Sequence, residues 1–505
     1  MVATSHPLAV DAGLAALRDG GTAADAAVAA AAMLSVVDPR STGLGGDLFA
    51  LYWEPGHAEP VGLSAAGVAP AAMTVQALRA AGFDVMPPEG PWTVTVPGAT
   101  WGWTELLDRY GRLDRGQVLR RAVDTARNGF RVAPMVAEEW LLGADKLRRN
   151  PAAAEIFMPG GRVPRAGETF TNSGLADSLE AYVAQGHKPF YEGSIATGFS
   201  DAVAALGGPL RASDLSGWTG PEWTTPIRAR FRGIDVYEMP PPGQGVVVLE
   251  SMRIYQEFEA TSTGEADHYL IECLKAAFGD AARHVADPRF SPVSVSDLLD
   301  GDRLAKVREQ IGREAADAPA PGAPTDTVYV CVVDETGAAC SLIQSLYEGF
   351  GSGVMAPGSG VVLHNRGNGF TLRDGHPNRP EGGKRPYHTI IPAMLGDDDG
   401  FRGCLGVVGG FMQPQGQLQI LRNVLDRGMS AQQAVDAPRL RVLGGRAVGL
   451  EAGFDAVSSA ELARRGHHLG SLSRFECGGA QMILRTAGRL DGGSDRRKDG
   501  YVGVC

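Results

Sequence analysis

Apolar residues recur along this chain with two different periods, and the change of period divides it. Near the N-terminus, Ala23 to Val37 (AADAAVAAAAMLSVV) is almost continuously apolar and carries one charge, Asp25. Alanine favours helix, and the run is shorter than the roughly 20 residues a membrane span needs, so a buried helix is expected. Asp38-Pro39 interrupts it, and STGLGGDLFALYW (Ser41 to Trp53) passes from glycines into a strand-like alternation. Between Val75 and about Ala205 the pattern is mainly helical. WGWTELLDRYG, QVLRRAVDTARNGF and LADSLEAYVAQG repeat apolar residues at helical spacing, with a glycine closing each. RGIDVYEMPPPGQGVVVLESMRIYQEF predicts a strand, a proline-glycine corner and a helix, and ADHYLIECLKAAFGDAARHVADP predicts another amphipathic helix.

From Gly301 the chain turns polar and ends in ADAPAPGAP (Ala316 to Pro324), which cannot continue a helix and reads as an exposed linker. Beyond it, TVYVCVVDETGAACSLIQSLY predicts two strands joined by a turn at Glu335-Thr336-Gly337. Two helices follow, around QGQLQILRNVLDRG and SAQQAVDAPRL, and the end is strand-like again. The composition break at Pro324 has the look of a domain boundary, although strands on both sides could share one sheet system. Pattern alone gives α+β or layered α/β.

Composition narrows the function classes. The chain has 505 residues, 44% hydrophobic and 21% charged, as expected for a soluble globular protein. Its net charge of −11 contains no basic block, which argues against nucleic acid or an anionic membrane as partner. Six cysteines form no CxxC pair and no cluster with metal-ligand spacing, so reduced thiols, a cytoplasmic location and no metal are expected. MVATSHPLAVDAG lacks the basic-then-apolar order of a secretory signal. GxSxG, HExxH and GxxxxGK[ST] motifs are absent. GLGGDLF (Gly43 to Phe49) is glycine-rich without a dinucleotide-binding context and reads as structural.

What remains is the junction TDTVYVCVVD (Thr325 to Asp334), where a linker meets a strand. Cleavage before Thr327 would make a complete catalytic unit. The hydroxyl of an N-terminal threonine is a nucleophile, and its freed α-amine is a general base with a reference pKa of about 7.7–8.0. By itself, however, a threonine opening a strand also satisfies β-propensity.

The series MVATSHPLA, GGTAADAAVAAA, DPRSTGLGGDLF, VPGATWGW, YEMPPPGQG, LKAAFGDAARHVADP, FGSGV, KRPYHTIIPAM, VVGG, FECGGAQMIL and SDRRKDGYVG resembles the gamma-glutamyltransferase family in order and over nearly the whole chain. The resemblance implies a four-layer αββα sandwich of the N-terminal-nucleophile (Ntn) hydrolases, within the α+β class. It also implies a proenzyme that cuts itself between Asp326 and Thr327. Residues 1–326, including the linker 316–326, would form a large subunit, and 327–505 a small one, associated as a heterodimer that could pair again. Counting back from Asp334 makes Thr327, not Thr325, the family's nucleophile. Ser345 takes the place of a threonine that orients it, and Gly409 and Gly410 match the pair whose N–H groups form an oxyanion hole.

Departures from the family bear on the substrate. Val68 stands near the place of a family arginine. Tyr347, Arg366 and Gly369 replace the polar residues that hold the α-amino group of a gamma-glutamyl substrate, and His388 and Thr389 replace paired serines. IQSLYEGFGSG, LHNRG, KRPYHTIIPA and GGFMQPQ resemble instead the branch that contains oxamate amidohydrolase. That implies a small carboxylate-bearing amide as substrate, recognised by Arg366 and His388 with Tyr347 and Thr389, and no cofactor. The alternatives are a glutathione-type gamma-glutamyl hydrolase or transferase, a biosynthetic C–C bond hydrolase of the same family, and an unprocessed scaffold protein.

Overall fold

The computed structural model describes residues 1–323 and 325–505; Pro324, where the composition breaks, lies outside the described residues. Thirteen strands form two sheets. The seven-stranded sheet runs Tyr501–Gly503, Val2–Thr4, Asp326–Val333, Ala339–Tyr347, Asp47–Trp53, Val61–Ala65 and Glu222–Thr224 from edge to edge. The six-stranded sheet runs Arg489–Ser494, Gly479–Thr486, Gly400–Val408, Ala393–Asp397, Ile234–Glu238 and Ile227–Phe231. All pairings within both sheets are antiparallel.

Side-chain alternation on Asp326–Val333 shows how the layers stack. Val328, Val330 and Val332 point into a core shared with the helix Ala23–Val37, whereas Tyr329, Cys331 and Val333 meet Met394, Cys404 and Ile483 of the other sheet. Successive residues of a strand face opposite sides, so this strand is dry on both. The sheets come close enough that a Cβ on Gly406 would lie 2.2 Å from the Tyr329 ring. On its outer side the six-stranded sheet packs Val236, Leu405 and Val407 against the helices Gly245–Tyr255, Thr263–His284 and Met412–Leu425. The result is a helix–sheet–sheet–helix sandwich.

Ala23–Val37 is buried along its whole length and starts with a capping box between Thr22 and Asp25. Among the described residues no helix is long and apolar enough to cross a membrane. The two sides of Pro324 share both sheets, so the composition break does not separate two independent cores. The linker is mostly exposed, as its composition predicts, but it is pinned. Lys275 Nζ donates to Ala316 O at 2.7 Å, Gly445 N to Ala318 O at 2.6 Å, and Arg441 Nη2 to Gly322 O at 3.1 Å.

Candidate active site

Asp326–Val333 and Ala339–Tyr347 form the expected hairpin, in register from Ala339↔Val333 to Gln344↔Val328. There the register shifts, so that Tyr347 lies opposite Asp326. Such a bulge re-aims side chains, and Tyr347 takes a φ of 78°, a backbone conformation uncommon outside glycine. Ser345, one of the two residues within the bulge, is thereby brought against the Asp326–Thr327 peptide. Thr327 Oγ1 lies 2.6 Å from the Asp326 carbonyl oxygen and 3.2 Å from Ser345 Oγ. The Ser345 hydroxyl donates to the same carbonyl at 2.7 Å and accepts the Tyr347 N–H at 2.7 Å. The hydroxyls of Thr327 and Ser345, the expected nucleophile and its orienting partner, therefore meet the carbonyl of residue 326 at one point, and Thr327 is only 2% exposed.

Gly409 and Gly410 follow the strand Gly400–Val408 and lead into the helix Met412–Leu425, with φ of 114° and 61°. Both values lie in the region that favours glycine. Gly409 lines a cavity of about 180 Å³ together with Thr325, Asp326, Thr327, Arg40 and Lys498. Two glutamines fix this corner. Gln244 Nε2 donates to Gly410 O at 3.0 Å and to Thr389 O at 2.7 Å. Gln413 Nε2 approaches Thr327 Oγ1 at 3.5 Å while its Oε1 accepts the Ile391 N–H at 3.0 Å. Neither glutamine was singled out by sequence reasoning, although PPPGQG and GGFMQPQ both contain one.

A second cavity, of about 340 Å³, opens on the other side of Thr325 and is lined by linker residues 319–323, Tyr347, Gly369 and Phe411. Arg366, His388 and Thr389, expected to receive the substrate, line neither cavity. All three are fully buried, around a carboxylate the sequence reading passed over, Asp47. Arg366 Nε donates to Asp47 Oδ2 at 2.5 Å and Nη2 to Oδ1 at 3.1 Å, while Nη1 reaches Thr389 Oγ1 at 3.1 Å. His388 Nε2 stands 3.2 Å from Asp47 Oδ2, and His364 Nδ1 3.4 Å from it. The forked face that could bind a substrate carboxylate is thus occupied by an internal one.

Electrostatics agree with that geometry. Burial alone would push the Asp47 carboxyl up, but the Arg366 charge and the imidazoles of His364 and His388 outweigh it and hold it well below the usual range. Burial, reinforced by Arg366, lowers His388, so it is a neutral ring at pH 7. Tyr347 is the member of this group that reaches a cavity. The Arg366 guanidinium carbon lies 4.3 Å from its ring centre, and burial pushes its phenol up to about 12.

One group among the described residues has metal-ligand spacing, the buried His268, Glu272 and His467. Its atoms already serve one another: His268 Nδ1 and His467 Nε2 are 2.9 Å apart, and Glu272 Oε1 accepts from Lys275 at 2.8 Å. An ammonium in contact with the only carboxylate suits an internal network better than a cation site.

The family model described as gamma-glutamyltranspeptidase matches residues 9–505. The chain belongs to this family. The glutathione hydrolase-like YwrD proenzyme of Bacillus subtilis is 36% identical, over 100% of this chain and 98% of its own length. The oxamate amidohydrolase proenzyme of Klebsiella pneumoniae is 34% identical, over 99% and 97%. Among solved structures, a cephalosporin acylase from Bacillus halodurans superposes with a TM-score of 0.94 at 41% identity, covering 99% of this chain and 95% of that one. The sandwich is therefore the Ntn-hydrolase fold of gamma-glutamyltranspeptidases and cephalosporin acylases, and the chain is a hydrolase of that family.

Proposed function

We propose that this gamma-glutamyltranspeptidase-family protein is a self-processing N-terminal-threonine amidohydrolase acting on a small carboxylate-bearing amide. One observation carries the reading: Thr327 Oγ1 and Ser345 Oγ both bracket the Asp326 carbonyl oxygen, at 2.6 and 2.7 Å, beside a cation-bearing cavity that Thr327 lines. In processing, Thr327 Oγ adds to the carbonyl carbon of Asp326, the C–N bond to the Thr327 nitrogen breaks, and that nitrogen takes the hydroxyl proton. Ser345 donates to the developing oxyanion. Water then cleaves the ester, giving fragments 1–326 and 327–505. In turnover the freed α-amine of Thr327 accepts the hydroxyl proton, and the N–H groups of Gly409 and Gly410 face the substrate oxyanion.

A carboxylate-bearing substrate is supported by the two cations, Arg40 and Lys498, that line the cavity with Thr327. The names of the relatives, oxamate amidohydrolase among them, point to amides of this general kind. Arg366 and His388 support the site from behind, through Tyr347. Intact mass spectrometry of the purified protein, followed by hydrolysis assays on a panel of small amides and gamma-glutamyl-p-nitroanilide, tests the proposal. A chain that stays full-length on incubation, or that prefers the gamma-glutamyl compound, overturns it.

A further inference from the structure

The residue ahead of the nucleophile has a carboxylate of its own, and that carboxylate is already held. Asp326 Oδ1 pairs with Arg40 Nη1, both side chains being largely shielded from solvent. Arg40 shares the 180 Å³ cavity with Thr327, Gly409 and Lys498. Its guanidinium lies close against the Gly349 backbone, where an added Cβ would stand 2.7 Å from Arg40 Nε. Arg40 Nε is itself buried and has no hydrogen-bond partner among the described residues, which leaves a second donor for a second carboxylate oxygen. Lys498, the other cation here, is paired with Glu139 at 2.5 Å, so Arg40 is the cation that faces the acyl side.

Processing and turnover pass through the same chemical species. In one, the acyl group of Asp326 is esterified to Thr327 Oγ; in the other, the acyl group of the substrate is esterified to that same oxygen. Whatever holds Asp326 at the first ester is placed to hold the substrate at the second. We propose that Arg40 is the specificity-determining receptor for a carboxylate on the acyl side of the substrate. The substrate class is then amides whose carbonyl is two carbons from that carboxylate, as the Asp326 carbonyl is from its own. Succinamate is the minimal member, and oxamate, with no carbon between the two groups, is too short. The proposal rests on the Thr327 chemistry above. Thr327 Oγ displaces ammonia from succinamate, the ammonia leaving with the hydroxyl proton, and water then releases succinate and restores the hydroxyl.

The test uses the processed enzyme and compares kcat/KM for succinamate, succinamide and oxamate. Succinamate should exceed succinamide by roughly 30-fold or more, the scale of a desolvated charge pair, and should exceed oxamate as well. Succinate should inhibit competitively where succinamide does not. Arg40→Met should raise KM for succinamate and bring the succinamate-to-succinamide ratio close to one, with Arg40→Lys restoring part of it. Because Arg40 also holds Asp326, Arg40→Met can block processing; the wild-type ranking and succinate inhibition then decide alone. A processed enzyme that hydrolyses succinamide as fast as succinamate, or oxamate faster, sinks the Arg40 assignment only. A chain that stays full-length, or is inert to every amide, sinks the Thr327 reading with it.

Discussion

Arg366 grips Asp47 with two hydrogen bonds, at 2.5 and 3.1 Å, in a site where neither side chain meets solvent. The residues stand 319 positions apart and tie the strand Asp47–Trp53 to the loop behind the active-site bulge. Removing one partner of such a pair leaves the other charge buried and unpaired. Asp47→Ala should therefore cost about 3–5 kcal/mol in urea unfolding. Arg366→Ala should do the same and release the Tyr347 ring, so its effect on turnover follows from lost structure. A loss under about 1 kcal/mol for either variant is incompatible with this pair holding the site together.

Ser345 Oγ donates to the Asp326 carbonyl and accepts from Thr327 Oγ1 and the Tyr347 N–H, and its proposed role can be separated from that of Thr327. Thr327→Ala should abolish the fragments 1–326 and 327–505 altogether. Ser345→Ala keeps the nucleophile but removes the donor to the Asp326 oxygen, so processing should slow by roughly 10²–10³-fold without stopping. Time-resolved intact mass measurements read both. Cleavage of Thr327→Ala at the same bond would place the nucleophile elsewhere.

The difference between what was legible and what was not follows from how the information is stored. Thr327, Ser345 and the glycine pair sit in local strings whose order along the chain carries the resemblance, and the structure places Thr327 and Ser345 in contact. The hairpin and the long helices are periodic over one segment and were readable for that reason. Asp47 and Arg40 were not. Arg40 lies between Asp38-Pro39 and the first long strand and Asp47 opens that strand, directly after glycines that suggest a turn, and no periodicity marks either charge as special. Their partners, Arg366 and Asp326, are hundreds of residues away. The resemblance assigns Arg366 to the substrate because it stands where the family holds its substrate and a guanidinium can bind a carboxylate bidentately. A single acidic residue opening an otherwise apolar strand, DLFALYW, was the available signal. Strand order is hidden likewise, since Val2 pairs with Val332 and Gly503.

Gly410 tests the geometry of the corner independently of the nucleophile. Its φ of 61° and the 2.3 Å that a Cβ would leave to Thr325 Oγ1 both oppose a larger side chain. Gly410→Ala should displace Thr325 and the glycine corner together, slowing processing and, in any processed fraction, lowering kcat more than it raises KM. Gln244→Ala, which frees the Gly410 carbonyl without adding bulk, should produce a milder version of the same kcat loss. Wild-type rates in both variants would remove this corner from the mechanism.

Stability should fall as pH rises, because two buried carboxyls, Glu250 and Glu238, prefer their protons. Burial raises Glu250 to about 7 against the opposing pull of Arg303. Burial raises Glu238 well above its usual 4.5, with a contact from Gln417 opposing it only weakly. Neither Glu238 oxygen has a hydrogen-bond partner among the described residues. A carboxyl with a raised folded-state pKa binds its proton more tightly in the folded chain. Its stabilising contribution is therefore complete below the unfolded value of about 4.5 and is lost as pH climbs through the folded value. Glu238→Gln keeps the shape and removes the titration. The variant should gain Tm relative to the parent at pH 8 and differ little from it at pH 5. A gap between the two proteins that is the same at both pH values would mean that Glu238 is ionised in the folded chain, which its surroundings do not support.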